Sequence, residues 1–259
     1  MNIFSHRRNT LFVTVSAVLF LFTISNAYAG KIVLSNDEWN LTDTGFTTSP
    51  LNDPAAYATN VAGWFTGGGT GNFLAYSNNF GLTGNYLASA MTSAGNMWTV
   101  SMAAPFTLAT LLSYDGVFLA GNPVDNQVLI DYVNAGGNVY LAGGTGWGGP
   151  FAEAAQWNTF LNAFGLGFGA PYNGVGGNIA ISSTHPIFVN VDHLYQDNGN
   201  DTLDISVLDP RAQVLVSLNG HGLYAVYDSG PVGVAEPATF LLVVAGLAGL
   251  GFLKKRITT

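Results

Sequence analysis

The chain has 259 residues, no cysteine and a formal net charge of −8, with 15 acidic against 7 basic side chains. Without cysteine it has no disulfides, no thiolate nucleophile and no sulfur ligand for zinc. An acidic protein repels phosphate backbones, so nucleic acids are not expected as partners.

Residues 1–29 have the pattern of a secretory signal peptide. Arg7 and Arg8 precede an apolar stretch over 11–24, and the sequence AYA at 27–29 gives the small-x-small cleavage pattern before Gly30. An uncleaved anchor helix is the alternative, but the apolar stretch is short for one. We therefore expect signal peptidase to cleave here and the rest of the chain to be exported.

Residues 30–230 alternate short apolar runs with helical patterns, which predicts one α/β domain. Outside the centre of this domain, strands are predicted over 31–34, 72–76, 97–102, 178–182, 213–217 and 222–227, and helices over 54–65, 86–93 and 151–164. Such alternation is typical of a three-layer fold with a largely parallel sheet.

The clearest pattern is a strand–helix–strand unit at the centre. The apolar run 116–120 is typical of a strand buried on both faces. Asn122 is predicted to cap the following helix, with Pro123 in its first turn, and the glycines at 136–137 to end it. The next buried strand is predicted over 138–142, and the crossover should be right-handed.

The stretches YDGVFLAG at 114–121, DYVNAGG at 131–137 and VYLAGG at 139–144, with HPI at 185–187, resemble the glutamine-amidotransferase-like domains. That resemblance implies a three-layer flavodoxin-like fold for residues 30–230. Active members of the family carry a nucleophilic cysteine at the turn after the third stretch, paired with a downstream histidine. The corresponding turn here, AGGT at 142–145, offers no such nucleophile.

This turn is nevertheless the candidate ligand edge, formed by Gly143, Gly144, Thr145 and, through the resemblance, His185. The stretch GTGWGG at 144–149 fits the G-x-G-x-x-G pattern, but no acid follows at the spacing that would bind a ribose, so a tight turn explains the glycines better. No G-x-S-x-G motif occurs, and we predict no catalytic residue. An exported hydrolase acting on a sugar or amide at this edge is the alternative.

An acidic stretch over 192–204 gathers four aspartates and two asparagines around a glycine. Asp197, Asp201 and Asp204 are candidate oxygen ligands for calcium, although the stretch is not an EF-hand. A solvated acidic loop is the alternative. No other cofactor is predicted.

The C-terminal segment combines three ordered features. Glu236 and Pro237 precede sixteen uncharged residues at 238–253, and Lys254, Lys255 and Arg256 follow. The apolar run would make a helix of about 24 Å, against a bilayer core of about 30 Å, and we predict that it spans the membrane with the cations on the cytoplasmic side.

Residues 234–259 resemble the PEP-CTERM sorting signal of Gram-negative bacteria, with AEP at 235–237 where the family usually reads Pro-Glu-Pro. The resemblance implies sorting by a membrane-embedded exosortase, and export to the cell surface or matrix of an organism that makes extracellular polysaccharide. An unprocessed C-terminal anchor is the alternative. From Gly30 to Pro237 the chain has fifteen acidic and two basic side chains, a charge of −13. We expect a non-catalytic binding or structural role, with extracellular polysaccharide as a candidate partner.

Overall fold

The computed structural model describes residues 30–206 and 209–230. The predicted signal peptide at 1–29 and the predicted sorting signal at 234–259, with its membrane helix at 238–253, lie outside these residues. Within the described ranges, no helix has both the length and the apolar character needed to span a bilayer.

Eleven strands and seven α-helices make up the described fold. The strands are β1 (Lys31–Ser35), β2 (Asn72–Ala75), β3 (Met97–Val100), β4 (Gly116–Ala120), β5 (Val139–Ala142), β6 (Leu166–Tyr172), β7 (Gly176–Ala180), β8 (His193–Asp197), β9 (Asn200–Asp204), β10 (Ala212–Leu218) and β11 (His221–Asp228). The α-helices are α1 (Asp43–Thr47), α2 (Pro54–Thr66), α3 (Phe80–Thr83), α4 (Asn85–Ser93), α5 (Leu108–Leu111), α6 (Asn126–Asn134) and α7 (Pro150–Asn162). Two 3₁₀ turns span Trp39–Leu41 and Pro186–Phe188.

The central sheet has seven strands in the order β10-β11-β1-β5-β4-β2-β3. The five strands from β1 to β3 in this order are parallel, and β11 joins β1 and β10 in antiparallel pairs. Strands β6 with β9, and β7 with β8, form two separate antiparallel pairs. The predicted α/β fold with a largely parallel sheet is confirmed.

Each face of the central sheet is covered by its own hydrophobic core. Along β4, Phe118 belongs to one core and Val117 and Leu119 to the other, as the two-residue period of a strand requires. Helices α2 and α4 cover the first face, and α6 and α7 cover the second. The described members of the two cores all lie between Ile32 and Tyr227.

The helices that follow β1 and β2 pack on one face, whereas those that follow β4 and β5 pack on the other. β1 and β5 are neighbours, as are β2 and β4, and in each pair the chain leaves the two carboxyl ends towards opposite faces of the sheet. In open α/β sheets a crevice forms at such points, and ligands bind there.

The helix α6 begins later than predicted. Its first residue is Asn126, and Asp125 caps it by accepting a hydrogen bond from Gln127 N at 2.8 Å. Asn122, the predicted cap, instead accepts hydrogen bonds from Asn78 N and Ser77 Oγ, and so ties the end of β4 to the end of β2.

The acidic stretch over 192–204 is not a loop. It contains β8 and β9, which pair with β7 and β6 respectively and are joined by a tight turn with Asn198 at φ 70°. Strand β6 was also absent from the prediction, since its glycines and proline are unusual in strands.

Candidate functional site

Three acidic side chains gather at the carboxyl edge of the sheet, where β1 and β5 end. Asp37 and Glu38 follow β1, and Glu153 lies in the first turn of α7, which follows β5. All three are buried, with exposed fractions of 0%, 4% and 0%. Among the described residues no Lys or Arg forms an ion pair with any of them. Buried carboxyl groups without a cation are costly when ionised.

Burial raises the pKa values of all three carboxyl groups. Asp37 reaches about 7, although the backbone N–H groups of Asp197 and Trp39 oppose the shift. Burial raises the pKa of Glu38 to about 8. A hydrogen bond from Asn79 opposes this shift, and the charges of Asp37 and Glu153 add to it. The pKa of Glu153 also rises. At neutral pH Glu38 is therefore mostly protonated, and its carboxyl group can donate a hydrogen bond as well as accept one.

The predicted turn at 143–145 is part of this cluster. Thr145 Oγ1 donates to Glu153 Oε1 at 2.6 Å, and Thr145 N donates to the same carboxyl group at 3.1 and 3.2 Å. These hydrogen bonds oppose the effect of burial on the pKa of Glu153. The hydroxyl of Thr145 is therefore held by an acid, and its described contacts include no histidine.

The two glycines of the turn leave no room for a nucleophilic side chain. A Cβ on Gly143 would come within 2.8 Å of the Phe168 ring. A Cβ on Gly144, where φ is +69°, would lie 2.8 Å from Gly199 Cα and 3.1 Å from Asp37 Oδ1. The turn at which the predicted resemblance would place a nucleophile is therefore closed by the Phe168 ring, by backbone and by Asp37.

Residues from β2 and β4 complete the crevice. Asn79, two residues after Ser77 at the end of β2, is hydrogen-bonded to Glu38. A Cβ on Gly121, which follows β4, would lie 3.4 Å from both Asn79 Nδ2 and Thr145 Oγ1. The carboxyl ends of four neighbouring strands thus meet at one point.

Two buried groups at this point have no hydrogen-bond partner among the described residues. One is Glu38 Oε2, and the other is the side-chain amide of Asn36, which is fully buried. Asn36 directly follows β1, and its carbonyl oxygen accepts a hydrogen bond from Asn200 N at 2.9 Å. Unpaired buried polar atoms are rare in folded proteins and are typical of functional sites.

Aromatic side chains border the crevice. The ring of Trp39, next to Glu38, packs edge-on against Phe80 at 5.1 Å and Tyr195 at 6.2 Å between centroids. Phe80 is 48% exposed. Burial raises the pKa of Tyr172, and the charges of Glu153 and the other two acids add to this, so the phenol lies close to the cluster.

The structure does not bring His185 to the predicted turn. His185 packs edge-on against Trp64, 5.1 Å between ring centroids, and Trp64 lies under Lys31, the first residue of β1. The turn contacts the opposite end of β1, through Gly143 N and Ser35 O. The predicted grouping is wrong because His185 caps the 3₁₀ turn Pro186–Phe188, which packs against α2.

The three predicted calcium ligands are engaged separately. Asp197 ends β8, whereas Asp201 and Asp204 lie three residues apart in β9 and so on opposite faces of that strand. Both oxygens of Asp201 lie 3.0 Å from His221 Nδ1. Across the described part of the chain, no three His, Asp or Glu side chains are arranged to hold a metal ion. Calcium binding stays a prediction without a preformed site.

A groove of about 420 Å³ lies at the amino edge of the sheet, beside Lys31 and Trp64. The remaining lining residues come from α2, the glycines after it and the segment after His185: Thr59, Asn60, Gly63, Gly67, Gly68, Pro186 and Val189.

Sequence reasoning missed the acidic cluster, although a signal for it was present. Asp37 and Glu38 come directly after the first predicted strand, at the edge where α/β sheets bind ligands. Glu153 stands in the first turn of a predicted helix, close to the glycine turn. The convergence of β1 with β5 could not be read from the sequence, because the two strands are separated by more than a hundred residues.

No protein-family profile, curated protein or solved structure matches this chain.

Proposed function

We propose that the chain is an exported exosortase substrate whose α/β domain binds a neutral saccharide, without catalysis, in the crevice at the carboxyl edge of the sheet. The sorting part rests on the three ordered features of residues 234–259, together with the signal-peptide pattern at the other end. The membrane and the exosortase are then partners of the tail, and the cell surface or the matrix is the destination.

The observation that carries the binding proposal is the environment of Glu38. Its carboxyl group is buried, has one oxygen without a partner and adjoins a pair of further acids. A protonated acid beside amide and hydroxyl groups, here Asn79 and Thr145, can both donate to and accept from sugar hydroxyls. The rings of Trp39 and Phe80 offer the apolar surface that the faces of a sugar ring require.

The charge of the domain favours a neutral ligand. With a formal charge of −13 over residues 30–237, this part of the chain repels acidic polysaccharides. The acids at the base of the crevice add to this repulsion whenever they ionise. Neutral hexose or amino-sugar polymers therefore fit the site better than uronate polymers do.

We further propose that the fold is flavodoxin-like, as the sequence resemblance implied. The order β3-β2-β4-β5 corresponds to the 2-1-3-4 part of the flavodoxin order, and β1 stands where the fifth strand would be. The N-terminal strand thus occupies a position that the last parallel strand occupies in flavodoxin itself.

Calorimetric titration of the purified domain, residues 30–230, with neutral and uronate-containing oligosaccharides tests the binding proposal. We expect neutral ligands to bind, Trp39→Ala to weaken binding at least tenfold and Glu38→Leu to abolish it. Trp64→Ala removes an aromatic ring at the opposite edge and is the matched control. If no saccharide binds, or if both tryptophan variants bind equally, the proposed site is wrong.

Mass spectrometry of the extracellular fraction tests the sorting proposal. We expect a species that lacks the residues after about Glu236, and neutral replacements of Lys254, Lys255 and Arg256 should loosen the membrane orientation. Recovery of full-length chain alone, in the envelope, would contradict processing.

A hydrolase acting on a sugar or amide at the same edge is the second candidate. The observation that favours it is the group of buried acids with raised pKa values, since a protonated Glu38 is suited to act as a general acid. If the domain hydrolyses oligosaccharides, and Glu38→Gln and Glu153→Gln abolish this activity, the domain is a hydrolase and the binding proposal is wrong.

A further inference from the structure

Lys31 is the one cation of the described domain that is not in an ion pair. Only Lys31 and Arg211 carry permanent positive charge in residues 30–206 and 209–230, and Arg211 pairs with Asp209 at 2.7 Å. Lys31 Nζ instead donates to Trp64 O at 2.7 Å and lies 4.7 Å from the centre of the Trp64 ring. Two of its three protons therefore stay available to an acceptor.

Lys31 forms one wall of the groove at the amino edge. Trp64, Pro186 and Val189 give this groove an apolar lining, and Val189 is 54% exposed. Burial lowers the pKa of Lys31, and the nearby charge of Asp228 only partly offsets this. The groove therefore fits an apolar segment with a carboxylate at one end.

The chain leaves the described domain beside this groove. Asp228 lies opposite Lys31 in the register of the antiparallel strands β11 and β1. The next residue, Ser229, donates from Oγ to Gly30 O at 3.3 Å. Gly230 N then donates to Asp228 Oδ1 at 2.9 Å. The six residues that follow, 231–236, can reach about 20 Å when extended, and they start beside Lys31, which lines the groove.

The sequence of these residues complements the groove. They read PVGVAE, which is five uncharged and mostly apolar residues followed by one acid. We propose that residues 231–236 dock in the groove, with the Glu236 carboxylate paired to Lys31 Nζ and the valines against Trp64 and Val189. The domain would then hold the start of its own sorting signal, and a protease acting after Glu236 would meet that residue at a fixed place.

A double-mutant cycle on the domain extended to residue 236 tests this docking. We expect Glu236→Gln to raise the unfolding equilibrium constant about three- to fivefold, the range of a partly exposed ion pair, and to have no effect in the Lys31→Met background. Asp131→Asn, on the opposite face of the sheet, removes the same charge and is the matched control. Tryptophan emission, to which Trp64 contributes one of five rings, should also differ between the domains that end at 230 and at 236.

The proposal would be overturned if the two substitutions had additive effects and if tryptophan emission were equal in the domains that end at 230 and at 236. Glu236→Gln changes no residue of the folded domain, so the test holds even if Lys31→Met folds poorly. The saccharide site lies at the other edge of the sheet, and neither result depends on it.

Discussion

The two edges of the central sheet bury ionisable groups of opposite kinds, acids at one edge and bases at the other. At the carboxyl edge, Asp37, Glu38 and Glu153 are buried together without a cation, and burial raises their pKa values. At the amino edge, Lys31 and His185 flank Trp64, and burial lowers their pKa values. Each edge therefore favours the neutral form of its groups, but the carboxyl edge does so by gaining protons and the amino edge by losing them.

This difference follows from which ends of the parallel strands meet at each edge of the sheet. The carboxyl ends of β1, β2, β4 and β5 meet, so that short polar segments after four strands face one another. The amino edge receives the starts of the parallel strands and the end of the antiparallel strand β11, and the groove there is built from α2 and the segment after His185. A buried polar cluster is therefore easier to assemble at the first edge than at the second.

The largest loss of stability should come from adding a methyl group to a glycine that lies against a backbone oxygen of another segment. A Cβ on Gly199 would overlap Asn36 O at the carboxyl edge, and one on Gly30 would overlap Gly137 O at the amino edge. We expect either glycine-to-alanine variant to lose about 3 kcal/mol or more of unfolding free energy in urea titrations. Gly69→Ala, with no atom within 4 Å, should be neutral. A silent Gly199→Ala would mean that the turn after β8 does not pack on Asn36.

The next effect is the pH dependence of stability. The folded pKa values of Asp37 and Glu38, about 7 and 8, exceed their ordinary values of 3.8 and 4.5, so the folded state binds more protons between about pH 4 and 8. Stability should therefore fall as pH rises through this range, by about 1 to 3 kcal/mol between pH 5 and pH 8. Urea titrations at several pH values measure the slope, and Glu38→Gln should flatten it.

His185 provides the contrast at the other edge. Its pKa is lowered by burial, so its contribution has the reverse sign and is lost as pH falls below its ordinary value of 6.5. His185→Gln should remove a loss of stability at low pH and leave the slope above pH 7 unchanged. Identical profiles for the two glutamine variants would erase the contrast between the edges.

A smaller effect should follow from Thr145→Val, which keeps the shape of the side chain but removes its hydroxyl. Glu153 would lose its 2.6 Å hydrogen bond, at a cost of about 1 to 2 kcal/mol in chemical denaturation. Thr145→Ser keeps the hydroxyl and is the control. Equal stability of the valine and serine variants would indicate that Thr145 and Glu153 are not paired in solution.

The smallest effect should come from Lys31→Met, tested in the domain that ends at residue 230. It removes the contact between the ammonium group and the Trp64 ring, which at a partly exposed position contributes about 0.5 to 1 kcal/mol. Lys31→Arg should retain most of it. Equal stability of the methionine and arginine variants in urea titrations would indicate that the contact contributes nothing.

The fold was predictable where one strand carries one continuous apolar run. The run over 116–120 matches β4, and the prediction over 138–142 differs from β5 by one residue. The start of α6 was missed because Asn122 and Asp125 are both good caps, and Asn122 is used to join two strand ends. Strands β8 and β9 were missed because aspartate, asparagine and glycine are unusual in strands, and their pairing with β6 and β7 is set by the tertiary fold.

The candidate site was predictable only in part. The glycine turn at 143–145 was found because it follows a clear strand, and it does lie at the carboxyl edge. His185 was placed there by family resemblance alone, and the fold puts it beside Trp64 instead. Asp37 and Glu38 escaped notice because two acids after a strand look like a solvated turn until the burial of both is known.

Both ends of the described domain, Gly30 and Gly230, lie at the amino edge of the sheet. On the proposed topology, only residues 231–237 separate that edge from the membrane helix, a tether of at most about 25 Å. On that topology, the amino edge of the unprocessed domain would lie nearest the bilayer. The carboxyl edge would then face outwards, away from lipid headgroups.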